Sequence, residues 1–313
     1  MPAINIADLP ASPPGLSGWP WTEASTPLPD SPQGEREWPR ITVVTPSYNQ
    51  AEFLERTIRS VLLQGYPRLE YIVIDGGSDD GSRGIIERYA PHLAYRVSEP
   101  DRGYVHAINK GFQRATGEIL CWLNSDDFYL PGTLRAVAEH LKASTGTAAV
   151  AGHVLKVYAD GRPPQKLVGR YAGMGRLLKF WLGYHMHQPS IFWRREVYEE
   201  VGPLDEEKDL IADFDYWVRI ARRFQFKNVD RVLSCATYHE RAKTGDGYRR
   251  YHEELRRRAP EYWRESPSPP YWLLKASMLN HYTLKPRLQT LLRPLNYLYL
   301  ASRRRLREWA QAD

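Results

Sequence analysis

The chain has 313 residues, 42% of them hydrophobic and 26% charged, the balance of an ordinary globular protein. A chain of this length buries roughly 75% of its unfolded surface, so a large core needs no disulfide or metal staples. The net charge of +6 is uneven: from His239 to Asp313, 16 Lys and Arg stand against 8 Asp and Glu, a balance of +8 that leaves about −2 for the rest, which excludes the basic footprint of a nucleic-acid-binding core.

Residues 1–39 are rich in Pro, Ser and Gly and show no periodicity, which predicts an extended arm pinned where Trp19 and Trp21 find a groove. The β-branched run Ile41–Thr45 predicts a buried first strand. Asn49 with Glu52 three positions on predicts a capped helix, and Phe53, Leu54, Thr57, Ile58, Val61 and Leu62 form its apolar stripe. Tyr71–Ile74 is a second strand running into Asp75-Gly76-Gly77-Ser78-Asp79-Asp80-Gly81-Ser82. A short helix through Tyr89, a strand at 93–97, a helix carrying Val105, Ile108 and Phe112, and a strand at 119–123 follow, the last running into Asn124-Ser125-Asp126-Asp127. Alternating strands and helices of these lengths predict a parallel sheet covered on both faces, with ligands at the carboxyl ends of the strands, where both acidic turns fall.

Further on, a helix to about Lys142, strands near 148–158, an apolar helix around 177–181 and a strand at 187–193 are expected. Helices at 195–201 and 212–224 and strands at 226–233 and 236–239 complete this part, and a mostly helical, basic segment begins at Tyr248. Cys121 and Cys235 each lie in an apolar run and read as buried free thiols, since their spacing suits neither a disulfide framework nor a metal. With no basic-then-apolar leader and no run near the ~18 apolar residues of a membrane span, the expectation is a cytoplasmic protein.

Three acidic segments carry the chemistry. The adjacent carboxylates of Asp126 and Asp127 repel one another unless a cation or donors compensate, so they suit a hard divalent ion; a solvated turn is the alternative. Asp75 and its glycine-rich turn let backbone approach a ligand, though such a turn is also simply a turn, and the Gly-Lys-Ser/Thr of a phosphate-binding loop is missing. Asp213 and Asp215 stand two apart at a helix start and face different directions; one can face a cleft while the other pairs with an arginine or caps the helix.

Taken together, ordered motifs over residues 41–240 resemble family 2 glycosyltransferases of the GT-A fold. They are Thr45-Pro46-Ser47-Tyr48-Asn49, Val73–Ser82, Ala107-Ile108-Asn109-Lys110-Gly111, Ala115–Glu118, Leu123–Asp127, His187-Gln188-Pro189-Ser190, Val201–Asp205 and Ala212–Arg219. The resemblance implies an α/β, Rossmann-like, mostly parallel sheet flanked by helices. It divides into a nucleotide-sugar half at 40–145, an acceptor half at 146–247 and a helical basic extension at 248–313. It implies an inverting transfer from a nucleoside-diphosphate sugar to a hydroxyl of a glycan or lipid-linked acceptor in cell-surface polysaccharide or glycolipid assembly. Asp213 would be the general base. Thr45, Pro46, Tyr48, Glu52, Asp75, Asp101, Arg102, Asn109, Ser125, Asp127 and Gln188 would line the donor site. Asp126, Asp127 and His239 would meet a Mn²⁺ or Mg²⁺ ion. Asn124 and Gly76 stand where many members carry acids, which implies a metal with fewer protein ligands, and Ala212 replaces a frequent Glu before the base.

The tail alternates Leu, Trp and Tyr with Lys and Arg, including Arg303-Arg304-Arg305. Such helices suit an anionic inner membrane surface, and equally suit packing on the catalytic domain or on a second subunit of a homodimer. Two rival functions are a sugar nucleotidyltransferase, for which Pro46-Ser47-Tyr48-Asn49 is the wrong loop, and a catalytically inactive nucleotide-sugar-binding scaffold.

Overall fold

The computed structural model describes residues 3–31, 37–143, 146–178, 186–242 and 248–262. Its strands are β1 (Ile41–Ser47), β2 (Leu69–Asp75), β3 (Tyr95–Ser98), β4 (Ile119–Trp122), β5 (Phe128–Tyr129), β6 (Ala149–Tyr158), β7 (Gln165–Leu167), β8 (Ile191–Arg194) and β9 (Phe226–Tyr238). Among the described residues they form one sheet in the order β3-β2-β1-β4-β8-β6-β9-β5, with β7 paired to β6. The run from β3 to β4 is parallel, β8 is antiparallel to both neighbours, and β6 and β9 run parallel to each other. One sheet thus spans the two halves expected at 40–145 and 146–247. The chain divides into compact units at Met1–Leu255 and Arg256–Asp313; the tail beyond 262, with its expected amphipathic helices, lies outside the described residues.

The helices are α1 (Ala51–Leu62), α2 (Ser82–Arg88), α3 (Tyr104–Arg114), α4 (Thr133–Lys142), α5 (Met174–Leu177), α6 (Arg195–Val201), α7 (Ala212–Ala221) and α8 (Tyr248–Tyr262). Every residue of β1 is buried, as its β-branched run predicts for a strand covered on both faces. Helix α3 packs directly on it: a Cβ at Gly111 would fall 2.3 Å from Val44 Cγ1, so only glycine permits this approach. Among the described residues no helix is long and apolar enough to cross a membrane, and Cys121 and Cys235 are buried free thiols whose pKa burial pushes up to about 12.

Three local expectations are corrected. Asn49 does not cap α1; it sits at φ 52° and its Oδ1 accepts from Asp79 N, while Asp80 Oδ2 accepts from Ala51 N at 2.8 Å. The Ser78–Ser82 turn therefore closes the start of α1, and Glu52 is released to pair with Arg241. The strand expected at 187–193 begins with a 3-10 turn at Gln188–Ser190, where Pro189 has no N–H for a ladder. The two strands expected at 226–239 are one, because Ser234, buried in mid-strand, is satisfied by the Ser190 hydroxyl at 2.6 Å. Of the helix expected around 177–181, α5 ends at Leu177 and 179–185 lie outside the described residues.

The amino-terminal arm is fastened by one cation. Arg59, 1% exposed on α1, donates to the carbonyls of Pro10, Pro20 and Trp21 at 2.8–3.0 Å and to the Tyr89 hydroxyl at 3.0 Å. Trp19 Nε1 adds a bond to the Tyr129 carbonyl. Replacing Arg59 strands these buried acceptors, so Arg59→Met is expected to cost about 2–4 kcal/mol. Urea unfolding checks this, and proteolysis within residues 3–31 should accelerate in the variant.

Candidate functional site

The carboxyl ends of β1, β2 and β3 are in register, with Ser47 beside Asp75 and Asp75 beside Ser98. Above them opens a pocket of about 780 Å³. Its near wall is Pro46, Ser47, Tyr48, Gly76 and Asp101; across it lie Asn124, Ser125, Asp126, Gln188 and Asp213, with Arg241 at the rim. Asp126 and Asp213, 87 residues apart in sequence, face this one cavity.

Asp75 does something other than expected. It is fully buried, and its carboxylate accepts from Gly77 N, Ser78 N, Ser78 Oγ and Ser98 Oγ at 2.6–3.2 Å. Its oxygens hold the glycine-rich turn in shape, and the turn's backbone forms the wall. Gly76 leaves room there: a Cβ would lie 2.7 Å from Asp101 Oδ2 and 3.3 Å from the Tyr48 ring, so a larger residue would have to displace the Asp101 side chain. Its missing side chain leaves a slot between an exposed tyrosine and a carboxylate.

Asp126 and Asp127 point apart. The Asp126 carboxylate meets the pocket and lies 3.1 Å from His239 Nε2. Asp127 is buried, accepts from Thr237 N at 2.9 Å and sits near the half-buried Arg56. Burial first, then the Asp126 charge, push its pKa well up. The expected metal role of Asp127 is therefore corrected to a structural one, because its side chain joins the acidic turn to β9. Among the described residues no three His, Cys, Asp or Glu side chains cluster as a metal site. One carboxylate oxygen and one imidazole nitrogen 3.1 Å apart would suit an ion that takes its other ligands from phosphate oxygens and water. His239 is fixed for this by stacking on Phe53 at 4.4 Å.

The third segment divides as its spacing predicts. Asp215 is buried and binds Lys208 Nζ at 2.7 Å and Arg219 Nε at 3.0 Å, whereas Asp213 lines the pocket. Asp213 opens partly to the cavity but is otherwise enclosed by protein, and this burial raises its pKa from 3.8 to about 6, opposed by the Phe214 N–H that donates to it at 2.7 Å. A carboxylate so poised accepts protons readily near neutral pH.

Of the other expected donor contacts, Pro46, Tyr48, Asp101, Ser125 and Gln188 line the pocket. Thr45 does not: it is buried with its hydroxyl 3.0 Å from Tyr71. Asn109 is corrected likewise, since its amide brackets Leu204, donating to its carbonyl and accepting from its N–H. Arg102 binds Glu206 outside the pocket, and Glu52 touches the site only through Arg241. Tyr104, Asp209, Leu210 and Arg241 also line the cavity and were not anticipated. Arg241, two positions past His239, was the one with a readable signal; Tyr104 opens α3, and Asp209 and Leu210 belong to the loop before α7.

The glycosyl transferase family 2 model matches residues 42–202, just over half of the chain. A Mycobacterium tuberculosis protein named only as an uncharacterized glycosyltransferase is 34% identical over 188 residues, covering 58% of this chain and 68% of that one. TuaG of Bacillus subtilis, a candidate teichuronic acid biosynthesis glycosyltransferase, is 33% identical over 133 residues, covering 41% and 52%. The chain spans between about half and two thirds of the length of the curated relatives it matches. Among solved structures, the mannosyltransferase PcManGT from Pyrobaculum calidifontis in complex with GDP-Man and Mn²⁺ superposes with a TM-score of 0.56 at 23% identity, covering 83% of this chain and 74% of that one, a likeness of fold. Sequence match and sheet order agree on a GT-A architecture, and the chain belongs to glycosyl transferase family 2.

Proposed function

We propose that the protein is an inverting, metal-assisted glycosyltransferase that moves a sugar from a nucleoside-diphosphate donor to a hydroxyl of a glycan or lipid-linked acceptor. One observation carries the reading: Asp126, paired with His239, and Asp213, with its raised pKa, open onto the same cavity. The name of TuaG, a candidate teichuronic acid biosynthesis glycosyltransferase, supports a glycan acceptor.

In this reading the nucleobase enters the slot over Gly76 between Tyr48 and Asp101, and the pyrophosphate lies toward Asp126, His239 and Arg241. A divalent ion held by Asp126 and His239 supplies, when bound, charge neutralisation for the departing nucleoside diphosphate. Arg241 adds a second positive charge at the rim, exchanging Glu52 for phosphate oxygens. Gln188 donates through Nε2 to the Trp122 carbonyl at 2.7 Å, and its buried Oε1 meets no partner among the described residues, which leaves it to accept from a donor-sugar hydroxyl. Asp213 takes the acceptor hydroxyl's proton as the oxygen attacks the anomeric carbon opposite the leaving group. A single displacement of this kind inverts that centre.

Mn²⁺ together with UDP or GDP should raise the melting temperature, and Asp126→Asn should weaken that nucleotide binding roughly 10–100-fold in Mn²⁺ while leaving the apoprotein's melting nearly unchanged; His239→Ala should weaken it as well, with a lower apoprotein melting temperature from the lost packing on Phe53. Absence of any metal-linked shift would defeat the metal assignment. Asp213→Asn should lower turnover of UDP-GlcNAc or GDP-mannose by about 10²–10⁴-fold with nucleotide affinity retained.

The same group gives a pH signature. Its carboxylate form predominates above about 6, so turnover should fall tenfold per pH unit below that value. Folding raises this pKa from 3.8, so the folded chain binds the extra proton between the two values and gains stability as pH falls through about 6. Asp213→Asn lacks this gain. Its melting temperature should exceed the parent's at pH 8, and the difference should shrink toward pH 4; a difference independent of pH would refute the burial of this charge.

A further inference from the structure

We propose that Glu254 of α8 is a positioning residue for Asp213, which makes the start of the carboxyl-terminal extension part of the catalytic apparatus; this rests on the reading of Asp213 as base. Glu254 is 7% exposed, and both carboxylate oxygens are engaged. Oε1 accepts from Asp209 N at 3.0 Å and Oε2 from Leu210 N at 2.9 Å. The carbonyl of that same Asp209 accepts from the Tyr104 hydroxyl at 2.7 Å. One residue's peptide groups are thus gripped from two sides, by α8 and by the start of α3. Asp209, Leu210, Tyr104 and Asp213 all line the pocket.

The grip passes to the base along a short path. Ile211 is fully buried, and its carbonyl accepts from Asp215 N at 2.8 Å to open α7, which presents Asp213. Burial and the neighbouring carboxylates of Asp213, Asp209 and Glu254 keep the Tyr104 phenol protonated, hence a donor. Two N–H bonds to the two oxygens of one buried carboxyl group fix direction as well as distance. Neither neighbouring contact makes Glu254 redundant: Lys208 and Arg219 hold Asp215, on the far side of the base. Leu255, fully buried next to Glu254, anchors the helix at this point. Glu254 lies well beyond residue 202, where the family match ends, so the brace is supplied by this chain's own carboxyl-terminal part.

Glu254→Gln keeps the shape but turns an amide NH₂ toward one of the two donors, and Glu254→Ala removes both acceptors. Hydrogen exchange of peptides spanning 209–213 and steady-state turnover of UDP-GlcNAc and GDP-mannose with Mn²⁺ read the outcome. Exchange of the Asp209 and Leu210 amides should rise about tenfold in Glu254→Gln, more in Glu254→Ala, with β1–β4 amides unchanged. Turnover should fall about tenfold with the donor KM within twofold, the signature of a displaced base and not of a lost donor contact. Unchanged amide exchange, or a rise shared equally by β1–β4, would overturn the brace. Asp213→Asn serves as the separate control: full turnover there would overturn the base assignment, a result the Glu254 amides do not influence.

Discussion

A stacked pair of indoles joins the two halves of the chemistry. Trp122 ends β4, immediately ahead of the turn that carries Asp126, and Trp217 sits one helical turn beyond Asp213 on α7; their rings stack at 5.2 Å and 12°. Trp193, Tyr216 and Phe112 close around them edge-on, all fully or almost fully buried. Rings of this size dominate the packing of a core and tolerate few alternative arrangements. Asp126 and Asp213 therefore ride on elements locked to one another, although β5, α4, β6, β7, α5, β8 and α6 lie between them in the chain. Chemistry that needs a base and a leaving group on opposite sides of one carbon depends on such a fixed separation.

Around this anchor, acids serve two kinds of purpose. Asp75, Asp80 and Asp215 are each held by several N–H, hydroxyl or cationic donors and Asp127 by the Thr237 N–H, and they shape turns. Asp126 and Asp213 keep a carboxylate face toward the cavity. The structural acids make the functional ones possible: Asp127 holds the turn to β9 so that its neighbour must face outward, and Asp215 does the same for α7.

That division sets the limit of what could be read from the chain. Strand and helix order was legible, because β-branched runs and amphipathic stripes report burial directly. The pocket-facing placement of Tyr48 and Asp126 was legible as well, since both turns follow a strand end directly, and that of Asp213 from the start of its helix. Which of two adjacent acids turns inward was not, and neither was the fate of Asp75, since both are settled by donors 20 or more residues away, such as Ser98 and Thr237. Asn109 misled for a similar reason: a buried amide on a cleft-side helix looks like a ligand contact until Leu204 occupies both its donor and its acceptor. Arg59 gave no signal at all, because a lone arginine on an apolar face is explained only by the arm carbonyls it collects.

The position of Asp213 shows why so much of the surrounding structure is rigid. A carboxyl half-open to a cavity can relieve its burial by swinging toward solvent, and the pKa would then return toward the ordinary carboxylate range. Holding it at about 6 requires that the backbone on either side be denied that freedom. The loop before it is gripped through Asp209, and the helix after it is fixed by Asp215 and by the Trp217 stack. The base that we propose at Asp213 would thus owe its strength to constraints on neighbours that do not themselves carry the proton.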